Sequence, residues 1–143
     1  MIIGIDSIRR FWQRVIDPQA YVSLFNDIGL VITDSIQIKT ASGYDYLNNK
    51  FSPYTDAYKR WKVSKGHSGR VNLRLTGQML DSLEAKPEPK GVEIRFDNSK
   101  ANDKANYNEN GRTPRRFVGI SPQVEKQIDD MVEKHIDNLL NGI

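Results

Sequence analysis

Residues 71–83 read V-N-L-R-L-T-G-Q-M-L-D-S-L. Val71, Leu73 and Leu75 alternate with Asn72 and Arg74, which is the period of a half-buried extended segment. Thr76-Gly77 breaks the run. The Thr76 hydroxyl is suited to accept a bond from a free backbone N–H and so cap a short helical turn. Met79, Leu80 and Leu83 then form a compact apolar knot. The stretch has an echo at 110–121, N-G-R-T-P-R-R-F-V-G-I-S. Neither stretch sets a nucleophile beside a base or gathers metal ligands, so both point to packing and assembly rather than to chemistry.

Moving toward the C-terminus, residues 82–86 and 92–96 flank P-E-P-K-G. Val92, Ile94 and Phe96 face one way and Glu93 and Arg95 the other. This predicts an antiparallel hairpin with a loop too long for a tight turn. Residues 97–110 are polar, with small residues at Ala101 and Ala105, and suggest one helical turn. Thr113-Pro114 is a breaker, and Phe117-Val118 an apolar anchor. Ser121-Pro122 opens a last helix. Val124, Ile128, Met131, Val132, His135 and Leu139 line one of its faces, to an end near Asn141-Gly142.

Toward the N-terminus, Gly66 ends a short helix that Thr55 caps and that carries Tyr58 and Trp61. Residues 64–70, S-K-G-H-S-G-R, read as a mobile polar loop. Phe51-Ser-Pro-Tyr54 is an extended turn, because the residue before proline is pushed out of the helical region, and residues 43–49 form a loop. Asp17-Pro18 starts the strongest element, a helix over 18–40. Along it Tyr21, Leu24, Phe25, Ile28, Val31, Ile32 and Ile36 keep a 3.6-residue period, which predicts burial of Phe25 and Ile28. Leu30 sits alone opposite that stripe, where it can meet a partner subunit. Asp6 caps an earlier helix through Ile16 with Ile8, Phe11, Trp12 and Val15 on one face, and residues 1–5 read as a short strand or arm. The order implies one α+β domain over 1–143: a long N-terminal amphipathic helix and a C-terminal helix packed with a small antiparallel β-sheet.

Composition narrows the function classes. Apolar residues make up 38 % of the 143 and charged residues 27 %, the balance of an ordinary globular domain with a real core. The net charge of +3 is milder than a dedicated nucleic-acid binder usually concentrates on one face. With no cysteine there is no disulfide, no thiol nucleophile and no cysteine zinc site. M-I-I-G-I-D does not read as a signal peptide, and no stretch approaches a membrane span. A soluble, cytoplasmically made protein is expected.

The chemistry-bearing residues read plainly. His67 lies in the polar loop and has no nucleophile to serve. His135 lies on the apolar face of the last helix, with Met131 and Leu139 at the positions a ligand partner would need. Glu125, Asp129, Asp130, Glu133 and Asp137 fall on that helix's outer face and read as solvated. Lys59, Arg60, Lys62, Lys65 and Arg70 are interleaved with Tyr58 and Trp61, as in a stacking surface for nucleic acid. The favoured reading buries the two aromatics and leaves the cations wet. Arg112, Arg115 and Arg116 flank Pro114 and Phe117 in an exposed-looking loop. They are suited to clamp carboxylates of a neighbouring subunit or, alternatively, DNA phosphates. No cofactor or metal is implied.

Three blocks carry a family resemblance: F-S-P-Y-T-D-A-Y-K-R-W-K at 51–62, N-L-R-L-T-G-Q-M-L-D-S-L at 72–83, and N-Y-N-E-N-G-R-T-P-R-R-F-V-G-I-S at 106–121, with the terminal helix after them. In that order and spacing the chain resembles the phage virion morphogenesis family, the tail-completion proteins of tailed bacteriophages. It departs where Arg116 replaces a usual proline, and where Tyr107-Asn108 stands for an Ile-His pair. The resemblance implies a non-enzymatic virion protein of the neck, built in the bacterial host cytoplasm. It would form a homo-oligomeric ring, hexameric in preference to dodecameric, that terminates the tail tube and joins it to the head–tail connector. Arg112, Arg115, Arg116, Phe117 and Leu30 are the residues expected at subunit or partner contacts, with non-specific DNA contact in the channel as a further role. The alternative is a basic nucleic-acid-binding module of phage origin.

Overall fold

The computed structural model describes residues 6, 10, 13–15, 17–74, 77–88 and 91–141. The expectations for residues 1–5, Ile8, Phe11, Trp12, Ile16, Leu75, Thr76 and Gly142 lie outside that set. Asp6, Arg10 and residues 13–15 are helical. Asp17 then adopts an extended backbone, and its carboxylate accepts the Gln19 N–H at 3.0 Å. The next helix is therefore a separate element with its own cap. It begins as a 3₁₀ turn, Pro18–Tyr21, and continues as α1, Val22–Ala41.

The 3.6-residue stripe on α1 is realised as read: Leu24, Ile28, Ile32 and Ile36 are buried. Tyr21, Phe25 and Val31 are half-buried at its margin. Phe25 is thus less enclosed than its spacing suggests, and its ring stacks on Tyr21 at 6.0 Å. Leu30 stands on the outer face. Thr55 caps α2, Asp56–Ser64, by accepting the Tyr58 N–H, and Gly66 ends it at φ +82°, a conformation that suits glycine.

The stretch 71–74 departs from the alternating strand. Val71 and Leu73 are half-buried and Arg74 is exposed, but Leu73 sits at φ +52° and none of the segment joins a sheet. The cause is Asn72, whose side-chain oxygen accepts the Arg74 N–H at 3.1 Å. Such a local bond turns the chain and competes with strand pairing. A single helical turn, α3 (Gln78–Asp81), then buries Met79 and Leu80.

Strands β1 (Leu83–Glu88) and β2 (Gly91–Phe96) form an antiparallel hairpin in the register Leu83↔Phe96 to Glu88↔Gly91. The connection is therefore shorter than P-E-P-K-G suggested, because Pro87 and Glu88 belong to β1. Proline is tolerated there because a two-stranded sheet has only edge strands. Residues 97–110 also exceed the single turn expected: α4 spans Ser99–Asn110, with Asn98 capping the Ala101 N–H at 2.8 Å. Ala101 and Ala105, one turn apart, are its buried face. Helix α5, Pro122–Leu140, starts where Ser121 accepts the Val124 N–H.

The hairpin and α5 both pack on α1, and α4 carries α3 and part of β2. The result is the expected α+β domain. Its core joins the α1 stripe to Phe51, Met79, Leu80, Leu83, Phe117 and Val124. Gly29 sets the closest approach: a Cβ there would lie 2.5 Å from Ala85 Cβ and 3.3 Å from Val92 Cγ1. Gly29→Ala should destabilise the chain by about 1–3 kcal/mol, outweighing the gain of up to about 1 kcal/mol in helix propensity. Urea unfolding checks this, and adding Ala85→Gly should recover most of the loss.

Candidate functional site

Residues of the stretches 51–62, 72–83 and 106–121 meet at Tyr54. Pro53 holds Ser52 extended, so the Ser52 and Pro53 carbonyls both accept from the Arg115 guanidinium, at 3.0 Å each. The same guanidinium stands 4.9 Å from the centre of the Tyr54 ring, and the Lys62 ammonium 5.0 Å from it. Tyr58 meets that ring edge-on at 4.7 Å. Two cations against one π-face system is an attractive arrangement, and more so where water is excluded.

Lys62 overturns the expected orientation of its helix. It has 0 % exposure, whereas Tyr58 and Trp61 are exposed, Trp61 at 44 %. The cation is inside and the aromatics are out. Its amine donates to Asn72 Oδ1 at 2.8 Å and to the Arg70 carbonyl at 3.1 Å, and burial pulls it below the usual lysine value. A buried ammonium is tolerated only with such partners, and its long stem packs like a hydrocarbon.

The echo segment is pinned as firmly. Glu109 Oε1 accepts the N–H groups of Phe117 and Val118, both at 2.8 Å. The Arg115 N–H donates to the Asn108 carbonyl at 2.6 Å. Phe117 is 1 % exposed and lies 6.2 Å from the Phe96 ring. It closes the chain's own core, so it is not available as an interface anchor. Arg115 is likewise spent on Ser52, Pro53 and Tyr54. Arg112 and Arg116 remain exposed, and Leu30 lies on α1 outside this site. Glu109 gave no signal in the sequence, where it is one acid in a polar run.

Around this knot lies a cleft of about 810 Å³. Tyr54 and Tyr58 line it from the α2 side, Leu73 and Met79 from the central stretch, Lys104, Tyr107 and Asn108 from α4, and Arg112, Thr113 and Arg115 from the loop. Among the described residues its lining contains three cations and no acid. Lys104 and Arg112 are exposed, and Tyr107 is 71 % exposed. Cations beside aromatic faces suit an anionic group attached to an apolar one.

Among the described residues no group of three or more His, Asp or Glu is placed to hold a metal ion. His67 is half-buried, and its N–H donates to the Lys62 carbonyl. His135 is half-buried with its ring 5.1 Å from that of Tyr21. The five acids of α5 are all exposed. No described helix is long and apolar enough to cross a membrane. Comparison with family models, curated proteins and solved structures finds no match.

Two outcomes test the knot. Lys62→Met keeps the stem but leaves Asn72 and Arg70 without their donor, so it should lower stability by about 1–3 kcal/mol in urea titrations. The Tyr54 hydroxyl is held above the usual tyrosine value of 10.0, first by burial and then by Tyr58, while the Leu73 backbone and Arg115 pull it down. The neutral phenol is therefore favoured in the folded state. That stability is fully present below about pH 10 and is lost as pH rises through the folded value. Above pH 10 the parent should lose melting temperature faster than Tyr54→Phe.

Proposed function

We propose that the chain is a structural protein of a phage virion. It would act at the head–tail junction, where a ring of copies completes and terminates the tail and joins it to the head. The reading makes it non-enzymatic. Its neighbours would be the tail tube or tail terminator and the connector, and it would be assembled in the bacterial host cytoplasm.

The observation that carries this reading is the division of labour around Tyr54. The residues of the three family-like blocks are largely consumed in building one rigid knot, and the side chains left over face outward. Lys104, Arg112 and Tyr107 rim the cleft. Leu30 and Ile38, 61 % and 66 % exposed on α1, both lie outside its buried stripe. Rigid scaffolds that present aromatic, arginine and aliphatic side chains are suited to protein contacts. The same cleft favours one second reading, a basic nucleic-acid-binding module, because exposed tyrosines beside cations also suit stacked bases.

Light scattering and negative-stain imaging of the purified protein, alone and with phage tails, test the proposal. Closed rings that cap the head-proximal end of the tail are expected. A monomer that leaves tails unchanged, with duplex or single-strand binding that falls steeply with salt, would favour the nucleic-acid reading instead.

A further inference from the structure

The cleft has a complement on the same chain. On the C-terminal half of α5, Glu133, Ile136, Asp137 and Leu140 stand at i, i+3, i+4 and i+7. That spacing places them on one stripe. All four are exposed, so none of the described residues closes over the stripe. It alternates carboxylates with aliphatic side chains, and Glu125 and Asp129 continue its acidic row toward the start of the helix.

The cleft is the converse: cations beside aromatic and apolar side chains, with no acid among the described residues of its lining. Asp103 lines the adjoining hollow, and Asp81, behind Gly77, is paired with Arg74. Because cleft and stripe are different patches that each stay open, they cannot satisfy one another within one chain.

We infer that the cleft receives the C-terminal half of α5 from a second copy of this chain. This rests on the ring-forming reading above and specifies the contact that closes the ring. Ile136 and Leu140 enter beside Tyr58, Tyr107 and Met79, and Glu133 and Asp137 pair with Lys104 and Arg112. This is an amphipathic helix laid in a groove, anchored at i+3 and i+7. The two surfaces differ, so the contact is head-to-tail, the kind that generates rings when the rotation closes.

The test uses the full-length chain and two charge-reversed variants, Lys104→Glu/Arg112→Glu and Glu133→Lys/Asp137→Lys. None of these side chains has a hydrogen-bond or ion-pair partner among the described residues, so circular dichroism should match the parent. Each variant alone should weaken self-association by roughly tenfold or more, read by mass photometry and light scattering at matched concentration and low salt. Mixed in equal amounts, the two should assemble again in alternation, since each reversed surface then meets a reversed partner.

Loss of assembly with no recovery on mixing overturns the inference. So does assembly of both variants at the parent's concentration, which leaves the ring reading standing. A parent that stays monomeric up to millimolar concentration overturns the ring reading as well. A cleft variant that assembles like the parent but loses DNA affinity assigns the cleft to nucleic acid and overturns the inference.

Discussion

A buried ammonium must be answered by oxygen, and much of this chain's path follows from answering Lys62. The amine takes the Arg70 carbonyl and the Asn72 side chain, which draws the start of the central stretch against α2. Asn72 then has one oxygen serving two donors, Lys62 and the Arg74 N–H. The second of these bends the chain and puts Leu73 in the left-handed region. Further along the chain Met79 and Leu80 lie in the core, and the hairpin begins at Leu83. A breach at Lys62 would be felt in the core because these bonds are in series.

The knot at Tyr54 ties together residues that are distant in the chain. Arg115 is held by two carbonyls from the first block and stacks on its tyrosine, while its own N–H is tied to α4. Glu109 fixes the next two amides. Residues 115–118 are therefore held by charge-assisted bonds, which are shorter and stronger than neutral ones. A loop held this way can present Arg112 at a fixed place instead of sampling many.

Periodicity and capping were legible wherever one face is wholly apolar. The α1 stripe, the α5 stripe and the caps Asp17, Thr55, Asn98 and Ser121 obey local rules, and all but Asn98 were readable as such. The α4 helix was obscured because its buried face is made of alanines, which add little hydrophobic contrast to a polar run. The orientation of α2 was inverted because residue type favours burying Tyr58 and Trp61, and only tertiary partners make burial of Lys62 acceptable. The hairpin loop was overestimated because proline argues against a strand unless the strand is an edge. At the site, Arg112 is exposed, as its loop suggests, whereas Arg115 and Phe117 serve the fold. Their partners, Ser52, Pro53 and Phe96, are far along the chain, and no spacing rule reaches that distance.

The closure over Lys62 also has a meaning for chemical reactivity. Among the described lysines it alone is fully enclosed, so an acylating reagent in solution reaches it only after α2 parts from the 70–72 segment. Labelling at this one amine then requires that opening, while the exposed lysines need none. An acyl group, once added, removes the charge that Asn72 and Tyr54 were arranged around, so the modified chain cannot close as before. Lys62 thus acts as an internal clock for local unfolding, and every opening that is captured becomes permanent.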